Sequence, residues 1–224
     1  MKTIVRIFLI ASFPLLVFLA WVRIMLLPVF VEAEYQRPGF PPDPYGFTVP
    51  ERIHWANISR EYLLSNAGRD FFTQYSLADG SPLYNEREVQ HMVDVQVIVQ
   101  WAMQILAVLG LLYLAGCGFL FWKNRLLLRK TLATAGLGTI ALMVSVMVIV
   151  ALAWDWAFVT FHRVFFTGET WLFPYSDTLI RLFPVTFWQD GFAVAVGGML
   201  ATCLLVWFAA SIIPRRTAKK TPAG

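Results

Sequence analysis

The sequence predicts an all-α integral membrane protein, a four-transmembrane-helix bundle, and three observations carry that reading. Of its 224 residues, 58% are hydrophobic and 14% charged, whereas an ordinary soluble domain has roughly 45–50% apolar and about 25% charged residues. Mean hydropathy is +0.62. The apolar residues gather in four runs, Ile7–Phe30, Val97–Trp122, Thr131–Phe158 and Gly191–Ile213, and about 20 such residues cross a bilayer. A soluble enzyme and a disordered chain are both excluded. The pI of 9.2 does not argue for nucleic acid, because the basic residues sit in short blocks between apolar runs and not on one aqueous face.

The first run is preceded by Lys2 and Arg6. It is longer than the roughly 7–15-residue core of a signal peptide, so it is read as a retained span. The segment 31–96 opens with a Pro-rich connector, Pro38–Pro50, that cannot be regular helix. Thr48 with Glu51 three residues on has capping-box spacing, and Ile53, Ile58, Tyr62 and Leu63 give the following helix an apolar face. Ala78–Pro82 reads as a turn. Asn85 with Glu88 repeats the cap pattern and starts a helix that runs into the second span. The link 123–130 is short and basic. In the segment 159–190, aromatic rings are dense, as in an interfacial belt, and Ser176–Phe183 reads as a short amphipathic helix stopped by Pro184. The tail 214–224 is basic. The whole chain, 1–224, is one membrane domain.

Charge sets the expected orientation. Lys2, Arg6, Lys123, Arg125, Arg129, Lys130, Arg215, Arg216, Lys219 and Lys220 fall on one side, while all 14 acidic residues lie in the two long segments or at the far end of the third span. Lys/Arg excess marks the cytoplasmic face. Both termini are therefore expected inside, and segments 31–96 and 159–190 outside, with short interfacial helices.

Depth then gathers the polar residues. His91 just precedes the second span and His162 just follows the third, near the same outer interface. Glu88, His91 and Asp94 share a helix face by their spacing of three, and Asp155 lies two turns from His162. Arg23 is roughly 24 Å along the first span, and Gln100 and Gln104 occupy the outer part of the second. Intramembrane polar groups are costly and usually face the bundle interior, so Arg23, Gln104, Asp155, His91 and His162 are expected in one polar pocket. Taken singly, each has a plainer reading: an interfacial anchor for a histidine, a snorkelling Arg23, and Asp155 as its ion-pair partner. His54 is read as a solvated surface residue.

A histidine held by a carboxylate is the usual general base. No GxSxG elbow is present, Cys117 and Cys203 lie inside spans, and neither HExxH nor a zinc set occurs. The expected chemistry uses a nucleophile carried by the substrate, with no metal and no cofactor. Two other classes fit the same residues: a non-catalytic lipid- or partner-binding membrane protein, and a bis-histidine haem protein.

Glu88-Val89-Gln90-His91-Met92-Val93-Asp94-Val95 resembles a signature of the lipoprotein intramolecular transacylase (Lit) family. So do Phe161-His162, Phe165-Phe166, Trp171 and Asp177-Thr178-Leu179-Ile180-Arg181-Leu182-Phe183-Pro184 with Phe187 and Asp190. Tyr45-Gly46-Phe47 and the Pro-rich first loop are similar to a less-characterised branch of that family. The resemblance implies an acyltransferase of the bacterial cytoplasmic membrane, with its active site facing outward. Its substrate would be a diacylated lipoprotein, or otherwise a phospholipid, within the bilayer. The sn-2 acyl chain would move from the glyceryl oxygen to the α-amine of the N-terminal Cys. His91 and His162 are then the expected catalytic pair. Asp94, Glu88, Asp155, Arg23 and Asp177 would support them, and Gln100, Gln104 and Trp171 would line the substrate groove.

Overall fold

A computed structural model describes residues 1–212. The end of the fourth expected span at Ile213 and the basic tail 214–224 lie outside the described residues. Among those described, the chain is all helix: α1 (Lys2–Met25), α2 (Pro28–Gln36), α3 (Val49–Leu64), a 3-10 helix (Arg69–Gln74), α4 (Glu86–Lys123), α5 (Arg125–Leu152), α6 (Trp154–Phe165), α7 (Thr178–Leu182) and α8 (Val185–Ile212). Helices α1, α4, α5 and α8 are long and apolar enough to cross a membrane. The chain is a multi-pass membrane protein.

Helix boundaries follow local chemistry. The apolar run expected to continue to Phe30 breaks after Met25, because Pro28 has no N–H to donate and instead opens α2 at its first position. The run expected to continue to Phe158 breaks at Ala153, whose φ of −144° and ψ of 51° are not helical, and α6 restarts at Trp154. Between α4 and α5 the link expected over 123–130 is helical except for Asn124. Its Oδ1 accepts from the Leu127 N–H at 2.9 Å and caps α5.

The chain divides into two compact units. One contains residues 1–20, 106–148 and 196 onward. Its buried residues are mostly aliphatic, with Leu9, Leu120 and Cys203 fully enclosed. Thr131 and Thr139 are buried too, each donating its hydroxyl to the carbonyl four residues back, Leu127 at 2.7 Å and Ala135 at 2.8 Å. Two glycines permit close approach. A Cβ on Gly116 would stand 3.1 Å from Leu9 Cδ2, and one on Gly136 would stand 3.0 Å from the Cys203 carbonyl oxygen. Gly110, Gly118, Gly138 and Gly197 have open space instead.

The other unit contains residues 21–105 and 149–195. The capping box expected at Thr48 and Glu51 forms, with Thr48 Oγ1 accepting from the Glu51 N–H and Glu51 accepting from the Thr48 N–H. The buried residues of α3 are Arg52, Ala56, Ile58, Ser59 and Tyr62, so its inner face is part polar. The expected turn forms around Gly80, whose φ is 82°, with the Leu77 N–H donating to Ser81 O at 2.8 Å. Ile58, Tyr62, Phe72, Leu83, Tyr84, Met92, Leu179 and Leu182 form one core cluster. Val31, Tyr35, Ala56 and Phe187 form a second. Gln96, buried inside α4, ties down the end of α3 by donating to the carbonyls of Tyr62, Ser65 and Ala67 at 2.9–3.2 Å.

Candidate active site

The two histidines come from α4 and α6 and lie in the same unit. Their ring centroids are 6.3 Å apart and their planes are 21° from parallel. His91 is buried at 8% exposure, and its Nδ1 has no hydrogen-bond partner. Phe166 and Phe173 pack on its ring at 4.8 and 5.4 Å between centroids. His162 is half-buried, with Phe158 at 4.2 Å, Trp171 at 4.8 Å and Phe166 at 5.5 Å. The rings read from sequence as an interfacial belt therefore include the walls of the histidine site.

His162 is oriented by its own helix. Its Nδ1 lies 2.7 Å from the Phe158 carbonyl oxygen. A carbonyl only accepts, so Nδ1 carries the proton and Nε2 of the neutral ring keeps its lone pair. Burial holds this imidazole below the ordinary histidine range, with the Phe158 carbonyl pulling weakly the other way. At neutral pH, His162 is thus an uncharged base with a fixed tautomer.

Glu88 fixes the frame around the pair. It is 2% exposed, and both of its oxygens accept backbone N–H groups. Oε2 takes that of Asn85 at 2.8 Å, and Oε1 takes that of Leu179 at 2.6 Å. The first bond closes the expected cap of α4, with Asn85 Oδ1 accepting from the Glu88 N–H at 3.1 Å. The second caps α7 in place of Asp177, which stands at the N-cap position without a side-chain capping bond. One residue away, Arg87 donates to the Leu172 carbonyl at 3.1 Å. The first turn of α4 therefore holds the loop that carries Trp171 and Phe173 at its middle and at its α7 end.

The expected supporting residues divide sharply. Asp94 accepts from Gln90 at 3.0 Å, and Asp155 is exposed in the first turn of α6. Among the described residues neither imidazole is hydrogen-bonded to a carboxylate, so the same-face pairs expected from spacing do not form. Gln100 spends its amide on the Ser65 carbonyl at 2.7 Å, and Gln104 is exposed. Arg23 is half-buried, with a buried Nη1 lacking a hydrogen-bond partner, and Asp155 does not pair with it. Trp171 is brought into the site. Its buried Nε1–H has no partner, beside the His162 ring. Asp177 keeps one buried oxygen, Oδ2, without a partner. His54 is exposed as expected. Sequence reasoning missed the tautomer lock at Phe158, whose only signal is its position four residues before His162, and the capping of α7 by Glu88, which has no local signal.

Four long apolar helices, with two histidines packed among aromatic rings beside a Glu-capped loop, define a helical membrane protein with a site suited to proton transfer. Residues 7–188 match the family described as lipoprotein intramolecular transacylase Lit, and the chain belongs to that family. An uncharacterised protein of Aquifex aeolicus is 31% identical over 193 residues, covering 85% of this chain and 86% of the relative. The solved structure of the membrane-integral lipoprotein intramolecular transacylase Lit of Bacillus cereus is similar in fold at 19% identity. It has a TM-score of 0.79 and 95% coverage of both chains. A form of that protein with a histidine-to-arginine substitution matches at 18% identity with a TM-score of 0.72, over 95% of this chain and 92% of that one.

Proposed function

We propose that this protein is an O-to-N acyltransferase of the bacterial cytoplasmic membrane acting on diacylglyceryl lipoproteins at the outer leaflet. The sn-2 acyl carbon leaves its glyceryl oxygen and joins the α-nitrogen of the substrate's N-terminal Cys, so one ester C–O bond breaks and one amide C–N bond forms. The single observation behind the reading is the facing pair His91 and His162 in a chain of the Lit family.

In this mechanism His162 Nε2 takes a proton from the substrate ammonium and frees the amine for attack. His91 takes the second proton, shed by nitrogen in the tetrahedral intermediate, and hands it to the departing glyceryl oxygen as that intermediate collapses. Of the three ammonium protons, one leaves to solvent through His162, one ends on the glyceryl oxygen and one stays on the amide, so no external donor is consumed. The free Nε1–H of Trp171 is the donor best placed to meet the intermediate's oxyanion, whereas the Gln100 amide already donates to the Ser65 carbonyl. Aromatic walls exclude water, which would otherwise hydrolyse the ester. Holding amine and ester together supplies much of the rate.

The test is expression in a bacterium that makes a diacylated reporter lipoprotein but lacks N-acylating activity. Fragmentation mass spectrometry of the reporter's N-terminal lipopeptide is then the readout. An N-acyl fragment with a lyso-glyceryl group is expected at unchanged intact mass. An unaltered diacylglyceryl pattern, with the protein present and folded, would reject the activity and favour a lipid- or partner-binding role.

A further inference from the structure

Away from the histidines, the same unit contains a cavity of about 400 Å³ walled by Pro41, Pro42, Asp43, Pro44, Tyr45, Arg52, Tyr175, Ile180, Arg181 and Pro184. Arg52 is its unusual feature. The residue is 2% exposed, its guanidinium stands 4.8 Å from the ring centroids of both Tyr35 and Phe40, and Nη1 donates to the Pro41 carbonyl at 2.8 Å. Its Nε is buried without a hydrogen-bond partner. Among the described residues no carboxylate forms an ion pair with it.

The second arginine on this wall is already neutralised. Arg181 donates to Asp43 Oδ2 from Nε at 3.2 Å and from Nη2 at 3.0 Å, and the Phe47 N–H adds a third bond to the same oxygen at 2.8 Å. Burial opposes ionisation of Asp43, but these bonds win and hold its carboxyl below the usual carboxylate range. Oδ1 of Asp43 is buried and unpartnered. Two guanidinium charges and one carboxylate charge therefore face one cavity, leaving a single positive charge on a buried group. A buried charge without a counter-ion is costly, and an anion entering the cavity removes that cost. The loop is prebuilt for this, since Arg181 also packs on Phe47 at 3.7 Å and Gly46 supplies a φ of 102°.

We propose that this cavity is an anion site in which Arg52 receives the phosphate of a phospholipid headgroup. Proline supplies no N–H, so the four prolines of the wall leave the guanidinium as the principal donor. Tyr45 and Tyr175 are 50% and 77% exposed, and such rings favour headgroup depth. A lipid phosphate and free phosphate share the chemistry, and competition separates them.

The experiment is native mass spectrometry of the full chain offered phosphatidylglycerol and a diacylglycerol with the same acyl chains. The wild type is expected to retain the phosphate-bearing lipid by about tenfold, the worth of one charge-assisted hydrogen bond. Arg52→Gln removes the charge, and Ile180→Trp fills the cavity with Arg52 intact, so the second variant decides if the first fails to fold. Both are expected to lose the preference. Equal retention of the two lipids by the wild type, or a preference unchanged in a folded variant, would overturn the site. Displacement of phosphatidylglycerol by inorganic phosphate alone would overturn the lipid assignment, and persistence in its presence supports it.

Discussion

In the unit of residues 1–20, 106–148 and 196 onward, buried threonines satisfy their own helix, and close approach depends on Gly116 and Gly136. The unit of residues 21–105 and 149–195 is held differently. Glu88 bridges two helix starts, Gln96 gathers three carbonyls, and Ser59 meets Tyr84 Oη at 2.6 Å. Arg37 joins Glu34 and Asp190. The first unit is a packing solution, in which the buried threonines bond within their own helix and Ser12 Oγ and Tyr113 Oη are buried without a hydrogen-bond partner. The second is a network solution, in which polar groups of distant segments satisfy one another and thereby position the histidines.

That contrast can be broken most strongly at the histidines. His91→Ala and His162→Ala should each lower acyl transfer by about 10²-fold or more, with the half-buried His162 site close to wild type in thermal stability and the buried His91 site somewhat less stable. Glu88→Ala should remove two hydrogen-bond acceptors and cost about 2–4 kcal/mol of stability, and activity should fall with it. Glu88→Gln should recover part of both, because one carbonyl oxygen survives. Denaturation followed alongside turnover checks the pair.

In the packing unit, Gly136→Ala should cost about 1–3 kcal/mol, because its Cβ would press on the backbone oxygen of Cys203. It should leave the pH profile unchanged. The profile itself sharpens the comparison. Burial lowers the pKa of His162, so its neutral form survives acidification past the ordinary histidine value of about 6.5. The acid limb of the rate should therefore lie below that value, and a limb above it would contradict the neutral-base role. The smallest effects are expected at Asp155→Asn and Gln104→Ala, both exposed, with stability changes within about 0.5 kcal/mol.

What the sequence disclosed follows the same division. Apolar runs long enough to span are a local property, and all four appear as helices. The caps at Thr48 and Asn85 were legible because a cap is written within four residues. Breaks at Leu27 and Ala153 were not, the second because Ala153 has no breaker chemistry of its own. In the site, the pairing of His91 with His162 was legible from matched depth. Their carboxylate partners were not, because shared helix face gives proximity without direction, and Glu88 turned to the Leu179 N–H instead. The buried Arg52 was hidden by the apolar residues around it in α3, which drew the expected inner face toward Ile53 and Leu63.

The most direct measurement of the central claim uses purified protein in proteoliposomes. Its substrate is a synthetic diacylglyceryl lipopeptide carrying an isotopic label only in the sn-2 acyl chain. In the wild type the label is expected to move to the Cys α-amine of the same molecule. In His91→Ala and His162→Ala the label should stay on glycerol. Label retained on glycerol by the folded wild type, or transfer undiminished in either histidine variant, would contradict the claim.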